Sequence, residues 1–390
     1  MILIHRDVAR LISVVYFVQG AIGIAGIALP LYLRTSGFSV KEIAYYMSVV
    51  AIPWFFKIIY GAVSDAFPIF GLRRKPYLIA CSFAASGGWF FMSLAPAQMT
   101  FLIAAMMIAN FGFASVDVVT DGIVVEHSTV KTAQIYQSIS WGARSIGALV
   151  SGVIGGYLAA SVDYRLIFAM TALLPLVQML VVCFYRERSC PSTIRPNIFT
   201  PIFQSLKHLV SGDLRWFCIL LVIFSFSSSF FTPLFFYLKE NLGFQEKLLG
   251  WLSSITWLGA IAGCFIYLNF FKEIQLKNAL YIAILLGFLE ILSCLFIQGR
   301  GTAFAIFFLG GILGYLGLLP MMSSSARLAH GTGIESSLFA ILMGIFNAGQ
   351  SISTFCGGWL YERIGLPLLI AFTAFLTLIG LLVIRKLKLL

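Results

Sequence analysis

Apolar residues run through the chain in blocks of roughly 20, the length at which an α-helix crosses the ~30 Å hydrocarbon core of a bilayer. Charged residues and Gly/Pro punctuation bound twelve such blocks, at 11–33, 43–64, 77–94, 98–126, 134–159, 164–185, 215–238, 247–270, 277–297, 301–326, 335–360 and 366–385. No strand-period alternation of the kind that marks a membrane barrel runs through them. The longest hydrophilic stretch, 186–214, separates block six from block seven. The pattern predicts an all-α membrane protein with twelve transmembrane helices. It divides into an N-terminal six-helix bundle (1–190), a cytoplasmic linker (191–214) and a C-terminal six-helix bundle (215–390). The first block is long for a signal-peptide core and lacks a clear small-residue cleavage site, so it reads as a membrane helix.

An internal repeat supports the division into halves. A shift of 202 residues lays GARSIGALVSGVIGGYL (142–158) over GIFNAGQSISTFCGGWL (344–360), with six of 17 positions identical. These are Gly142/Gly344, Gly147/Gly349, Ser151/Ser353, Gly155/Gly357, Gly156/Gly358 and Leu158/Leu360. Small residues at this spacing let membrane helices approach closely. Halves repeated about the membrane normal are the construction of major facilitator transporters. The expected architecture is therefore a major facilitator fold of two pseudo-symmetric six-helix bundles.

Composition agrees: 60% of residues are hydrophobic and 11% charged, against about 25% charged in a soluble domain. The net charge of +11 has a topological cause. With both termini inside, 17 Lys and Arg fall inside, 7 outside, and two, Lys57 and Arg144, within helices. The positive-inside rule then places both termini in the cytoplasm, and no nucleic-acid partner is needed to explain the charge. The expected location is a bacterial inner membrane. Seven Cys and four His form no metal-ligand spacing, so neither metal nor cofactor is expected. No HExxH or GxSxG motif supports a membrane enzyme.

The candidate chemistry is concentrated in the first half. SVDVVTDGIVVE (115–126) puts Asp117, Asp121 and Glu126 into an otherwise apolar block. Under the repeat shift Asp117 lies over Leu319, Asp121 over Ser323, Glu126 over Leu328 and Arg144 over Phe346, so the scaffold is duplicated and the charges are not. Counting about 1.5 Å per residue from the inner helix ends puts Asp117 roughly 16 Å deep, Arg144 15 Å, Lys57 12 Å and Asp121 10 Å. That matches Asp117 with Arg144, and Asp121 with Lys57; Lys57 becomes the partner of Asp117 if the estimate slips by one turn. A charge at mid-bilayer costs at least ~2.5–3.5 kcal/mol, so these four are expected to face the bundle interior and pair. The competing explanation is a packing salt-bridge network without a transport role. Glu290, alone in block nine, reads either as a second protonation site or as a pore-facing polar group.

Between blocks two and three, GAVSDAFPIFGLRRKP (61–76) carries G-x-x-x-D followed by G-x-R-R. It resembles the major facilitator loop signature, whose Asp and basic residues latch the cytoplasmic gate. Asp65, Arg73, Arg74 and Glu126 would form that latch here; a solvated positive-inside loop is the plainer reading. The matching loop of the second half lacks the signature. Block five also lacks the Pro of the antiporter signature, with Gly152 followed by Val153, which favours uptake over drug efflux.

Three stretches, PWFFKIIYGAVSDAFPIFGLRRKPYL (53–78), DVVTDGIVVE (117–126) and YQSISWGARSIGALVSGVIGG (136–156), together resemble the folate-biopterin transporter family, a branch of the major facilitator superfamily. Where that family has Lys-Pro, this chain has Lys57-Ile58. The resemblance implies import of folates or pterins with protons. Lys57 and Arg144 would receive carboxylates, and Trp54, Trp141, Phe230, Phe231 or Trp257 would stack a flat ring. Family members also carry other solutes, including S-adenosylmethionine, whose sulfonium would favour the carboxylates instead.

The leading expectation is a monomeric, proton-coupled importer of a pterin-like or related anionic metabolite, with small molecule, protons and lipid as its partners. The alternatives are another facilitator, for a muropeptide or a drug in exchange for protons, and a non-transporting receptor. In the expected mechanism Asp117 takes up the proton once an anionic substrate has engaged the cation beside it.

Overall fold

The structure is a computed structural model that describes residues 5–127, 130–187, 209, 212–271, 274–330 and 335–388. Eleven helices among these are long and apolar enough to cross a membrane. They are α1 (Arg6–Thr35), α2 (Val40–Ala66), α3 (Lys75–Leu94), α4 (Met99–His127), α5 (Ile135–Ser161), α6 (Tyr164–Phe184), α7 (Gly212–Asn241), α8 (Glu246–Phe271), α9 (Leu276–Phe296), α10 (Arg300–Ala329) and a last stretch, Ser337–Ile384. That stretch is two helices. Gly365 has φ 72° and ψ 173°, which no helix accommodates, and Pro367 follows. We number its parts α11 (337–364) and α12 (366–384), which gives the twelve helices read from the hydropathy pattern.

Local chemistry sets the helix boundaries. Ser39 and Glu42 form a reciprocal capping box at the start of α2: Glu42 donates its backbone N–H to Ser39 Oγ, and Ser39 donates its own to Glu42 Oε2. Asp163 accepts the backbone N–H of Arg165 at the start of α6. Pro53 lies in a 3₁₀ stretch, Ile52–Phe56, that interrupts α2, and the α-helix resumes at Lys57. The break falls above Lys57, on the opposite side from the Pro of the family pattern. Gly71, at φ 73°, and Phe70, at φ 53°, make the tight turn before α3.

The chain divides into two compact units, one of Met1–Ser36 with Phe56–Phe199 and the other of Gly37–Phe55 with Thr200–Leu390. The first half of α2 thus groups with the second unit, where the sequence placed it in the first bundle. Two features explain the difference: the break at Ile52–Phe56 separates the halves of α2, and α11 offers 37–55 a face of small residues. Ser351 Oγ donates to the Ser48 carbonyl at 2.6 Å, Lys41 meets Glu362 at 3.8 Å, and Gly358 leaves no room for a Cβ beside Ala44.

Each unit repeats one packing scheme. In the first, α1 packs on α5, α3 on α4 and α6, and the 57–66 part of α2 on α4. In the second, α7 packs on α11, α9 on α10 and α12, and α8 on α10. The repeat glycines make the corresponding contacts. A Cβ on Gly147 or Gly155 would run into the backbone of α1 at Phe17 or Ile24. A Cβ on Gly349 or Gly357 would meet α7 at Ser225 and Val222, or at Ser229. Val222 and Ser229 each lie 205 residues beyond Phe17 and Ile24, so the two glycine pairs share one register. Lipid is as apolar as Leu, so close backbone approach rather than apolar burial holds such helices together.

Candidate functional site

Four helices of the first unit converge on one polar cluster. Lys57, the first residue of the resumed helix in α2, reaches Asp117 of α4, with Nζ 2.5 Å from Oδ2. Gln19 of α1 donates Nε2–H to the other oxygen, Oδ1, at 2.9 Å. One turn along α4, Asp121 Oδ1 accepts the hydroxyl of Tyr16, also from α1. Asp117 is 5% exposed, so its charge is offset by protein groups and not by water. Asp117 and Asp121, four residues apart, share a helix face, and Tyr16 and Gln19, three apart, share one on α1. The i, i+3 pair Tyr16 and Gln19 in an apolar block was a signal in the sequence that its charged residues overshadowed.

Arg144 of α5 does not pair with Asp117, contrary to the depth estimate, and Lys57 does not pair with Asp121. Among the described residues Arg144 makes no ion pair, although it is close enough to act electrostatically on Asp117, Asp121 and Tyr16. Its guanidinium lies 5.3 Å from the ring centroid of Trp141, one turn back on α5. A cation over an indole is attracted by the negative face of the ring. The cluster therefore holds an ion pair, a carboxylate bound by a phenol, and a guanidinium whose carboxylate-binding fork meets no carboxylate among the described residues.

The other candidates lie in the second unit. Trp54 belongs to the interrupted stretch of α2. The rings of Phe230 and Phe231 are tilted against each other with centroids 4.9 Å apart, and Trp257 meets Tyr315 edge-on at 6.3 Å. Glu290 sits against a bare strip of α10: a Cβ on Gly314 would lie 3.3 Å from its Oε1, and one on Gly310 3.9 Å away.

A second charged cluster joins the ends of α2 and α4 to the start of α3. Arg74, 5% exposed, places Nη2 2.5 Å from Asp65 and 2.7 Å from Glu126, and donates Nη1–H to Ser64 at 2.8 Å. Of the two adjacent arginines, Arg74 supplies the guanidinium. Arg73 contributes its backbone N–H, to Glu187 at 2.8 Å, and its Nε is buried without a partner. Glu187 also accepts the N–H groups of Arg74 and Lys75, and so satisfies the otherwise open start of α3. Lys75 Nζ in turn donates to the carbonyls of Cys183 and Tyr185 at the end of α6. Glu187 was missed because it falls in the hydrophilic stretch that follows block six. Gly122, next to Asp121, makes room for Arg74, since a Cβ there would lie 2.7 Å from Cζ. At the same end the rings of His5 and His127 meet edge-on at 5.5 Å.

Comparison with known proteins places these residues in context. The model of the BT1 family matches residues 19–390. The folate-biopterin transporter of Synechocystis sp. is 27% identical over 370 residues, covering 90% of this chain and 74% of that protein. Folate transporter 2 of Plasmodium falciparum is 26% identical over 336 residues, covering 82% of this chain and 72% of that one. Among solved structures, a POT family transporter in complex with 5-aminolevulinic acid superposes with a TM-score of 0.77 at 16% identity, covering 97% of each chain. The nucleoside transporter NupG gives 0.76 at 13% identity, covering 96% of this chain and 98% of that one. At such identities the structural matches speak for the fold.

Proposed function

Because the chain belongs to the BT1 family and has the fold of major facilitator transporters, we propose that it imports folate-like, pterin-like or related anionic metabolites together with protons, by alternating access. The chain is a multi-pass membrane transporter; the substrate class and the proton are our reading. The names of its relatives motivate that class. The observation that carries it is Arg144, a cation inside a membrane helix, which has no ion pair among the described residues and stands on Trp141. A guanidinium binds a carboxylate through two parallel N–H bonds, and the indole beside it offers a face to a flat ring. Lys57, its side chain 25% exposed, is a second cation within the cluster for a substrate with two carboxylates.

The arrangement argues against a sulfonium substrate such as S-adenosylmethionine. Asp117 already holds Lys57, so that carboxylate is not open to a ligand cation. When an anion engages a cation of the cluster, a proton taken up by the cluster restores the balance of charge, which is the basis for coupling. In this reading Asp65, Arg74 and Glu126 form the cytoplasmic latch. The protein works as a monomer in a bacterial inner membrane, with both termini in the cytoplasm.

Uptake into proteoliposomes tests the proposal. Labelled folate, a pterin, S-adenosylmethionine and a dipeptide are compared under an acid-outside gradient. Folate or the pterin is expected to accumulate, and a protonophore to collapse the accumulation. Arg144→Ala is expected to lower that uptake at least tenfold. Accumulation of S-adenosylmethionine alone, or unchanged uptake in Arg144→Ala, would refute the reading.

A further inference from the structure

The hydrogen bonds around the two carboxylates, Asp117 buried and Asp121 half-buried, are not equivalent. Asp117 uses both oxygens as acceptors, Oδ2 from the Lys57 ammonium at 2.5 Å and Oδ1 from the Gln19 amide at 2.9 Å. An ammonium has donors only, and the Gln19 group facing Asp117 is its NH₂. A proton on Oδ2 would point at the Lys57 ammonium and break the ion pair, and one on Oδ1 would require the Gln19 amide to turn its oxygen toward Asp117. Asp121 is bound instead by a hydroxyl, that of Tyr16. A phenol O–H donates to a carboxylate and, after rotating, accepts from a carboxylic acid. Among the described residues no cation lies within ion-pair distance of Asp121.

We infer that Asp121, held by Tyr16, is the residue of this cluster that takes up and releases a proton, and that Asp117 stays an ionised partner of Lys57. The coupling role rests on the transport reading above; the proton site itself does not. The charged and titratable groups around Asp121 can be named helix by helix. Asp117 shares α4, Tyr16 comes from α1, Lys57 from α2 and Arg144 from α5. Arg74 of the α3 start lies against Gly122, its guanidinium committed to Asp65 and Glu126. With both carboxylates ionised, Asp117 and Asp121 balance Lys57 and Arg144. A proton bound to Asp121 forms one O–H bond, turns the Tyr16 hydroxyl from donor to acceptor, and leaves one positive charge in excess. That is the charge a carboxylate on Arg144 neutralises, so proton and anion stabilise each other without touching. The proton leaves by the reverse step.

Infrared difference spectroscopy of the purified, reconstituted protein, titrated between acid and neutral pH without any substrate, tests this. Wild type is expected to show a carbonyl-stretch band of a protonated carboxylic acid that is lost in Asp121→Asn. The band should persist when Lys57→Met and Asp117→Asn are combined, a pair chosen because it removes both charges together. In Tyr16→Phe it should remain but shift in frequency, because its hydrogen-bond partner is gone. An undiminished band in Asp121→Asn, its loss in the Lys57/Asp117 double variant, or a wild type with no such band overturns the inference. If the band behaves as expected while folate and pterin uptake fail, the substrate reading falls and the proton site stands.

Discussion

Removing Lys57 should cost the fold more than removing its partner, and removing both should restore it. Lys57→Met leaves Asp117 ionised and 5% exposed, with the Gln19 N–H still 2.9 Å away and Arg144 acting at a distance. Breaking a buried pair by deleting one partner costs about 3–5 kcal/mol, and the two remaining helpers put this case at the lower end, about 3 kcal/mol. Asp117→Asn leaves the better solvated partner, since the Lys57 side chain is 25% exposed and Asp121 still acts on it. That loss is about 1–2 kcal/mol after allowance for the residual solvation. Replacing both charges with uncharged groups of similar shape is close to neutral, so the double variant should recover nearly the whole sum of the two single losses, about 4–5 kcal/mol, as a coupling energy. The assay is denaturation of the four proteins in one detergent, read beside proteoliposome uptake. Stability should rise in the order Lys57→Met, Asp117→Asn, double variant, with the last near wild type. Uptake should fall at least tenfold in all three, because Lys57 is absent or its register is lost. Additive losses with no coupling would mean that the pair is not formed, and wild-type uptake in the double variant would confine it to a structural role.

Two further predictions concern the helix-end cluster. A Cβ introduced by Gly122→Ala would lie 2.7 Å from Arg74 Cζ and 2.9 Å from Nη2, so the guanidinium must move by several tenths of an ångström. It should weaken its bonds to Asp65 and Glu126 at a cost of about 1.5–3 kcal/mol; Glu126→Gln should then destabilise the Gly122→Ala protein less than it destabilises wild type, and equal shifts in melting temperature would refute the contact. Glu187→Ala strips the acceptor from three backbone N–H groups of residues 73–75 and should cost about 1.5–3 kcal/mol, with Glu187→Gln intermediate; a melting temperature unchanged in both would show that the start of α3 is capped otherwise.

The helices were legible because spanning a bilayer sets both their length and their composition, and the expected and observed spans agree to within a few residues at most ends. The glycine register was legible because only small residues permit the backbone approach that Gly147, Gly155, Gly349 and Gly357 make. The pairing of Asp117 with Lys57 was legible only as the alternative to the depth estimate, and the reason is a matter of rulers. Depths were counted from where each apolar block ends, at Asp65 and His127, but helix ends need not lie at one level. Arg74 supplies a common level, since it binds Asp65 of α2 and Glu126 of α4 together. Counted from those two residues, Lys57 lies eight residues along α2 and Asp117 nine along α4, about 12 and 13.5 Å. On the same scale Asp121 is five residues up, about 7.5 Å, and too low for Lys57. Both clusters therefore depend on one register between α2 and α4, set at the helix ends by Arg74 and filled within the span by Lys57 and Asp117. Gly122 is where that register demands the absence of a side chain. No composition or periodicity within either helix carries it, and for the same reason the partners contributed by α1, Tyr16 and Gln19, could not be read before α1 was placed against α4. A change that loosens Arg74 should accordingly be felt by the Lys57–Asp117 pair as well, because the two cations tie the same two helices at different heights.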